Sequence, residues 1–406
     1  MNFLKLLIFS QYFSPESFII NDIARTLVAQ GHEVVVATGK PNYPDGKIFP
    51  GYRAWGCQHE RYLESIDVFR VPLWPRGDGS TKNMVLNYFS FVMAGLFFFP
   101  WLLRKREFDA ILVFAPSPIT QAIPAIVLKW LKKAHLALWV QDLWPESLAA
   151  TGFVKNRHLL RMVGWMVRGI YACCDQLLVQ SHAFIEPVAD YASRNKIVYY
   201  PNSVDVQAPK VEVSIPHELS AVLEHRFCIV FAGNLGTAQA LSTLLQTAMH
   251  LRDDNDICLV LVGSGSRLDW LKEQKQAHGL DNLILPGRFP VEAMPEIFAR
   301  SSALLVSLND ESIFSQTIPS KIQSYLAAGR PIIACLNGEG ARIVQEAGAG
   351  LSSPAEQVLP LVAAIRKMQS FSDVEREAMG RSGRDYFDRH FEMRRQVSRL
   401  VELLQG

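Results

Sequence analysis

Short, unbroken runs of aliphatic and β-branched residues alternate with amphipathic stretches along nearly the whole chain, and this alternation limits the possible folds more than any other feature. In the first half the runs are LKLLIFS from Leu4, EVVVAT from Glu33, DAILVFA from Asp109, HLALWVQ from His135, DQLLVQS from Asp175 and KIVYYPN from Lys196. Runs that are apolar at every position, rather than at alternate ones, belong to strands buried on both faces. Such strands form parallel sheets covered by helices. FIINDIARTLVAQG supplies the first covering helix, with Gly31 at its end. The opening MNFLKLLIFSQYF is apolar, but it is short and lacks a small-residue cleavage site, so it reads as a first strand rather than a secretory signal.

The pattern breaks at PNSVDVQAPKVEVSIPHEL, rich in proline and polar residues, and restarts with RFCIVFAGN from Arg226, DICLVLVGSGS from Asp256, NLILPGRF from Asn282, SALLVSL from Ser302 and RPIIACL from Arg330. A length of 406 residues suits roughly two to three domains. The reading is therefore α/β, with two facing, doubly wound Rossmann-like domains. Residues 1–205 form the N-terminal domain, 206–225 a linker, 226–385 the C-terminal domain, and 386–406 a last helix packing back on the N-terminal domain. Ligands of such sheets bind beyond the carboxyl ends of the strands, which makes an interdomain cleft the expected site.

A formal net charge of +2 gives no reason to expect nucleic acid as a partner. The six cysteines form no C-x-x-C pair and read as buried free thiols in a reducing, cytoplasmic compartment. No G-x-x-x-x-G-K-[ST] occurs, no G-x-G-x-x-G follows the first strand, and no H-E-x-x-H or Cys/His cluster is present. An ATPase, an ordinary dinucleotide oxidoreductase and a dedicated metal site are thus disfavoured, and no cofactor is expected. NMVLNYFSFVMAGLFFFPWLL, residues 83–103, is long enough to cross a bilayer, and Arg104, Lys105 and Arg106 follow it. Three readings stay open: partial insertion at a membrane surface, a buried helix, or a span. The basic, aromatic-bearing KWLKK (129–133) and the run containing Lys155, Arg157, Arg161 and Arg168 favour the first. A solvated helix face would account for those charges equally well.

Four consecutive strand ends in the second half carry glycine or polar loops: Gly233-Asn234-Leu235-Gly236, Gly263-Ser264-Gly265-Ser266-Arg267, Gly287-Arg288-Phe289-Pro290, and NDESIFSQT before the helix TIPSKIQSYLAAG. A glycine loop leading into a helix start is an anion site in principle, although many ordinary turns look the same. Lys321 sits in the first turn of that last helix, where the helix dipole disfavours a cation. Either the side chain points into water or an anion lies beside it. In the first half, Ser14 and Glu16 follow the first strand, and Gln141, Asp142 and Glu146 follow LALWV. Acids at a strand's carboxyl end suit acid/base work or sugar-hydroxyl binding, and equally suit helix caps.

These residues resemble a family. QYFSPESFIINDIARTLVAQGHEVVVATG, VQDLWPESLAATG, YPNSVD, FAGNLGTAQALSTLL, LVGSGSR, LPGRFPVEAMPEIFARSSALLVSL and PSKIQSYLAAGRPII together are similar to GT-B glycosyltransferases of glycosyltransferase family 4, a retaining group. The likeness is greatest to the branch transferring N-acetyl-L-fucosamine in O-antigen, lipopolysaccharide or capsule assembly. The resemblance implies a nucleoside diphosphate sugar, UDP-linked, as donor and a polyprenyl-diphosphate-linked saccharide as acceptor at the inner face of the bacterial cytoplasmic membrane. It places Gly233, Asn234, Leu235, Gln239, Gly263, Arg288, Phe289, Gln316, Pro319, Ser320, Lys321 and Ser324 around the donor, and the residues' own chemistry adds Arg267 and Glu311. Asp142 faces the transferred sugar, with Ser14, Glu16, Gln141 and Glu146 on the acceptor side.

The chain departs from the family pattern at five positions. Asn234 and Gln239 stand where an Arg and a Lys are usual, Gln316 and Ser324 where two Glu are usual, and Gln141 where a His is usual. Two charge-assisted hydrogen bonds are each worth about 1.5–3 kcal/mol, and an exposed helix dipole only about 0.3–1 kcal/mol. A diphosphate donor therefore needs another cation, and Lys321 is the best-placed candidate, ahead of Arg288 and Arg267. Glu311 or Asp310 is then the expected acceptor for ribose hydroxyls. Two rivals remain: a non-catalytic nucleotide-sugar-binding partner of a glycan assembly complex, and a nucleotide-sugar epimerase.

Overall fold

LKLLIF folds as β1 (Lys5–Phe9), buried along nearly its whole length because strands pair on both sides and helices cover both faces. The computed structural model describes residues 3–150, 153–154, 156–205 and 215–405. The described chain divides into two units. One comprises residues 1–203 with 393–406, the other residues 204–392.

The first unit holds an eight-stranded sheet. After β1 come β2 (Glu33–Gly39), β3 (Gln58–Tyr62), β4 (Ile66–Val71), β5 (Ala110–Ala115), β6 (His135–Val140), β7 (Gln176–Val179) and β8 (Ile197–Tyr199), in the order β3-β4-β2-β1-β5-β6-β7-β8. All pairs are parallel except β3 with β4. The sequence reading missed this edge hairpin. QHERY carries His59, Glu60 and Arg61 in succession, and its turn uses Leu63 and Glu64 at positive φ instead of the glycine or asparagine that marks such turns. The helices Thr81–Leu102, Ala122–Lys132 and Arg157–Cys173 cover one face. Helix Ile19–Ala29 and the last helix, Met393–Gln405, cover the other, the last burying Met393, Val397, Leu400 and Leu404 beside β1 and β6 residues.

The second unit repeats the plan with six parallel strands: β9 (Phe227–Ala232), β10 (Ile257–Val262), β11 (Leu283–Gly287), β12 (Ala303–Ser307), β13 (Ile332–Cys335) and β14 (Gly350–Ser353), in the order β11-β10-β9-β12-β13-β14. β14 was not foreseen, because GLSS has neither β-branched nor aromatic residues. Part of the segment read as a linker, 206–214, lies outside the described residues. The remainder is corrected: His217–His225 is a helix, and its Leu219 and Leu223 join the core of the second unit.

In both sheets the winding direction reverses beside the first strand, between β1 and β5 and between β9 and β12. At such a reversal the loops leaving the two strands diverge and open a crevice at their carboxyl ends. The loops involved are those after Phe9, Ala115, Ala232 and Ser307.

The cysteine expectation needs one correction: Cys57 is exposed and Cys173 partly so, while Cys174, Cys228, Cys258 and Cys335 are buried free thiols.

Candidate active site

In the second unit, helix Ser320–Ala328 follows β12 and its loop, and its start carries no side-chain cap. Lys321 leaves the first turn of this helix and runs back across the loop after β9. Its ammonium lies 4.1 Å from the Phe231 ring centroid and donates to the side-chain carbonyl of Gln239. No carboxylate pairs with it among the described residues. Burial alone pulls its pKa down to about 8. Gly233, at φ +145°, makes room for it, since a Cβ there would fall 2.5 Å from Lys321 Cε. Deeper in, the buried Tyr325 hydroxyl accepts from Ala232 N–H at 3.0 Å and ties the helix to the end of β9.

The neighbouring loops are bound into one edge. Asn309 accepts from Ala240 N–H and donates to Thr237 C=O, each at 3.0 Å. Gly263 lies so close to Gly233 that a Cβ would meet its carbonyl oxygen at 1.8 Å, and a Cβ at Gly265 would fall 2.5 Å from the Leu235 backbone and 2.6 Å from Asn234 Oδ1. Arg267 stacks its guanidinium 4.0 Å from the Trp270 ring and, with Gly236, Thr237, Asn309 and Glu356, lines a cleft of about 150 Å³. Ser320 and Glu311 are exposed, whereas Pro319, Gln316 and Ser324 are half-buried along the same approach. Asp310 is already engaged, accepting from Asn337 Nδ2 at 2.8 Å. Arg288 is exposed and Phe289 rests against the core. Leu235 is a correction: its side chain is fully buried among core residues, so only its backbone belongs to the loop.

In the first unit, Asp142 lies at the carboxyl end of β6. It accepts from Trp144 Nε1 at 3.2 Å and hydrogen-bonds to Ser147 and Ser117. Burial raises its pKa against these bonds. Ser117 also hydrogen-bonds to Tyr88, which lies within electrostatic reach of Asp142 and Arg76. Gln141 donates to Asn202 at 3.0 Å, and Glu146, exposed, accepts from Tyr191 at 3.0 Å. One acceptor-side expectation is corrected. Glu16 is 2% exposed and its carboxylate takes up the N–H groups of Phe13, Asn42 and Tyr43, so it fastens two loops together. Ser14 gives its backbone carbonyl to Arg70, and its half-buried side chain stays on the proposed acceptor side.

Two family models match. "Glycosyl transferase 4-like domain" covers residues 18–203, and "Glycosyl transferases group 1" covers residues 226–370. The chain is a GT-B glycosyltransferase. It is 24% identical to WcaI of Escherichia coli K12, named for glycosyl transfer in colanic acid biosynthesis, over 80% of this chain and 82% of that protein. It is 26% identical to the glycosyltransferase WbjE of Pseudomonas aeruginosa over 70% of this chain and 73% of that one. The structure of Anabaena HepE in complex with UDP shares the fold with a TM-score of 0.66 at 11% identity, covering 99% of both chains.

Sequence reasoning about this glycosyltransferase missed Asn309, whose three hydrogen bonds to the loop after β9 include one from its own N–H to Ala238. It also missed Arg76, Tyr12 and Tyr43. Tyr12 stands just past the end of the first strand, and Tyr43 and Arg76 lie in the loops before the long apolar helix; what joins the three is a contact between distant positions.

Proposed function

We propose that this glycosyltransferase moves a sugar, with retention, from a UDP-linked donor to a hydroxyl of a polyprenyl-diphosphate-linked saccharide, in the assembly of a bacterial surface polysaccharide. The carrying observation is the half-buried ammonium of Lys321, beside a glycine loop at the sheet's reversal point and bonded, among the described residues, to the neutral side chain of Gln239. A largely desolvated cation with no carboxylate partner among the described residues suits an anion, and a leaving diphosphate gathers negative charge as the glycosidic bond breaks. Lys321 then takes the place of the usual arginine and lysine, with the N–H groups at Asn234 and Ser320 beside it and Arg267 and Arg288 as outer cations, while the Gly233 N–H stays bonded to Val262 C=O. Asp142 orients the acceptor or steadies positive charge on the sugar. No metal is required by this scheme. The names of WcaI and the UDP complex of HepE support the polysaccharide and the nucleotide, respectively. N-acetyl-L-fucosamine or a related amino sugar is the proposed group, and the product O-antigen, lipopolysaccharide or capsule.

The proposed location is the cytoplasmic face of the plasma membrane. Helix Thr81–Leu102 is long and apolar enough to cross a membrane, but Phe91 and Phe99 on one side of it pack against Phe9 in the core. A helix committed to the protein on one side supports surface insertion rather than a span. Its other side exposes Val85, Phe89, Met93, Phe97 and Trp101. Neighbouring helices add Trp130, Leu131, Met162 and Trp165, with Arg104, Lys105, Lys133 and Arg161 around them. Two lysines of KWLKK are not part of that surface: Lys129 is paired with Asp175 at 2.7 Å, and Lys132 donates to the carbonyls of Leu103 and Arg106. Lys155 lies outside the described residues.

Incubation with a panel of UDP-sugars and a lipid-diphosphate saccharide tests the reading. Glycolipid product supports it. Interconversion of free donor would make the protein an epimerase, and binding without turnover a non-catalytic partner.

A further inference from the structure

The loop between β4 and helix Thr81–Leu102 carries an arginine in an unusual setting. Arg76 is half-buried, its backbone N–H held by Asn42 Oδ1 at 3.1 Å. Its guanidinium lies 5.2 Å from the Tyr43 ring centroid and 5.9 Å from that of Tyr12. The polar contacts of its Nε and terminal nitrogen are to the sulfur of Met84, 3.1 Å away, a weak acceptor. Nearby acids are engaged elsewhere. Asp78 accepts from Ser80 N–H and Asn83, Glu16 from three backbone N–H groups, and Asp142 from Trp144. A guanidinium presents five N–H donors in a planar fork suited to phosphate. Here two ring faces hold that fork in place and no carboxylate uses it among the described residues.

The surroundings say which anion fits. Asn87, from the second turn of the same helix, accepts from the Gln11 side chain at 2.7 Å and donates to Trp74 C=O. Gln11 N–H in turn donates to Gln121 at 2.7 Å. The start of the helix is thereby fixed to the loops after β1 and β5, beside the sheet's reversal point. Tyr88 feels both Arg76 and Asp142, so the arginine and the acid share one polar edge. Met84, in contact with Arg76, directly precedes Val85, where the exposed apolar stripe begins. Four-residue spacing overshoots a helical turn, so this stripe winds slowly from Val85 to Trp101 along about 24 Å of helix.

We infer that Arg76, framed by Tyr12 and Tyr43, binds the diphosphate of an isoprenoid-type lipid acceptor, whose hydrocarbon chain lies along the stripe starting at Val85. The inference rests on the lipid-linked acceptor proposed above and assigns the residue that holds its charged group. An anion and a chain joined in one molecule match an unpaired fork and an apolar stripe joined at Met84–Val85.

The test uses the full chain with farnesyl diphosphate, inorganic pyrophosphate and farnesol as probes, measured by calorimetry, and UDP affinity as the control for folding of the second unit. Thermal unfolding with the retained Tyr12–Tyr43 contact checks the first unit. Farnesyl diphosphate is expected to bind more tightly than pyrophosphate or farnesol. Arg76→Met weakens farnesyl diphosphate by about tenfold or more, Arg76→Lys by less, and farnesol not at all. Unchanged farnesyl diphosphate affinity in Arg76→Met overturns the assignment while leaving the lipid acceptor standing. Pyrophosphate binding as tightly as farnesyl diphosphate overturns it in favour of a free-phosphate site. Failure of the wild-type chain to bind farnesyl diphosphate while it binds UDP removes the lipid-acceptor reading itself.

Discussion

Lys321 and Gly233 are fitted to each other: the lysine stem fills the space a side chain at Gly233 would need, with Cε 2.5 Å from where a Cβ would sit. Gly233→Ala therefore displaces the lysine and also strains a backbone at φ +145°. Donor affinity is expected to drop about tenfold or more in Lys321→Ala, from loss of a charge-assisted bond, and similarly in Gly233→Ala. The double variant should lose much less than the sum of the two. Calorimetric titration with UDP checks this. Additive losses would mean that the glycine acts on the donor independently of the lysine.

Donor affinity should also depend on pH through this lysine. Burial places it at about 8, below the usual value of about 10.4. It is charged below its folded pKa and neutral above, and only the charged form attracts a diphosphate. UDP affinity of the wild-type chain is thus expected to fall as pH rises through about 8, and Lys321→Arg should remove that fall because arginine stays protonated. Stability carries the opposite sign. The unfolded chain keeps the proton to higher pH, so folding gains stability as pH rises between the two values. A flat UDP-affinity profile across this window would contradict the placement.

Asp142 should separate activity from stability. Its folded pKa is raised by burial, so protonation persists in the folded chain to higher pH than in the unfolded one. Stability is lost as pH rises through that interval. Asp142→Asn removes the charged form and should leave thermal stability equal or slightly higher at neutral pH, while turnover falls by about a hundredfold or more. In the wild type, the acid limb of turnover should lie above the ordinary aspartate range. A variant that loses stability and activity together would make Asp142 a loop fastener.

Phe89, Phe97 and Trp101 are about 60%, 75% and 60% exposed, respectively. Replacing all three with serine should change unfolding free energy by only about 0.5 kcal/mol each. Sedimentation with phosphatidylglycerol vesicles at low salt should fall several-fold in the triple variant, since each buried aromatic contributes about 1.5–3 kcal/mol to an apolar phase. Equal sedimentation of variant and wild type would remove the surface-insertion proposal.

The alternation of apolar runs with helical stretches was sufficient for most strands of the two sheets, because strands buried on both faces must be apolar at every position and that pattern is local. Strands with other compositions were not legible. β3 reads as charged because it is an edge strand paired on one side only, and β14 is a short Gly-Ser edge. At the site, the glycine loops, Lys321 and Asp142 were visible as residue types at strand ends. Their partners were not, since Lys321 to Gln239 spans 82 positions and Gln11 to Asn87 spans 76.

The sequence by itself determined which segments become buried strands, where the pattern restarts, and which chemical groups stand at the carboxyl ends of the strands. All of these follow from the spacing of residues along the chain. Only the tertiary structure decided what each group does there. Glu16 is consumed by three backbone N–H groups and Lys132 by carbonyls, whereas Lys321 and Arg76 remain without a carboxylate among the described residues. The reason is that a charge's role depends on desolvation and on its partners within a few ångströms, and those partners come from distant positions that only folding brings together.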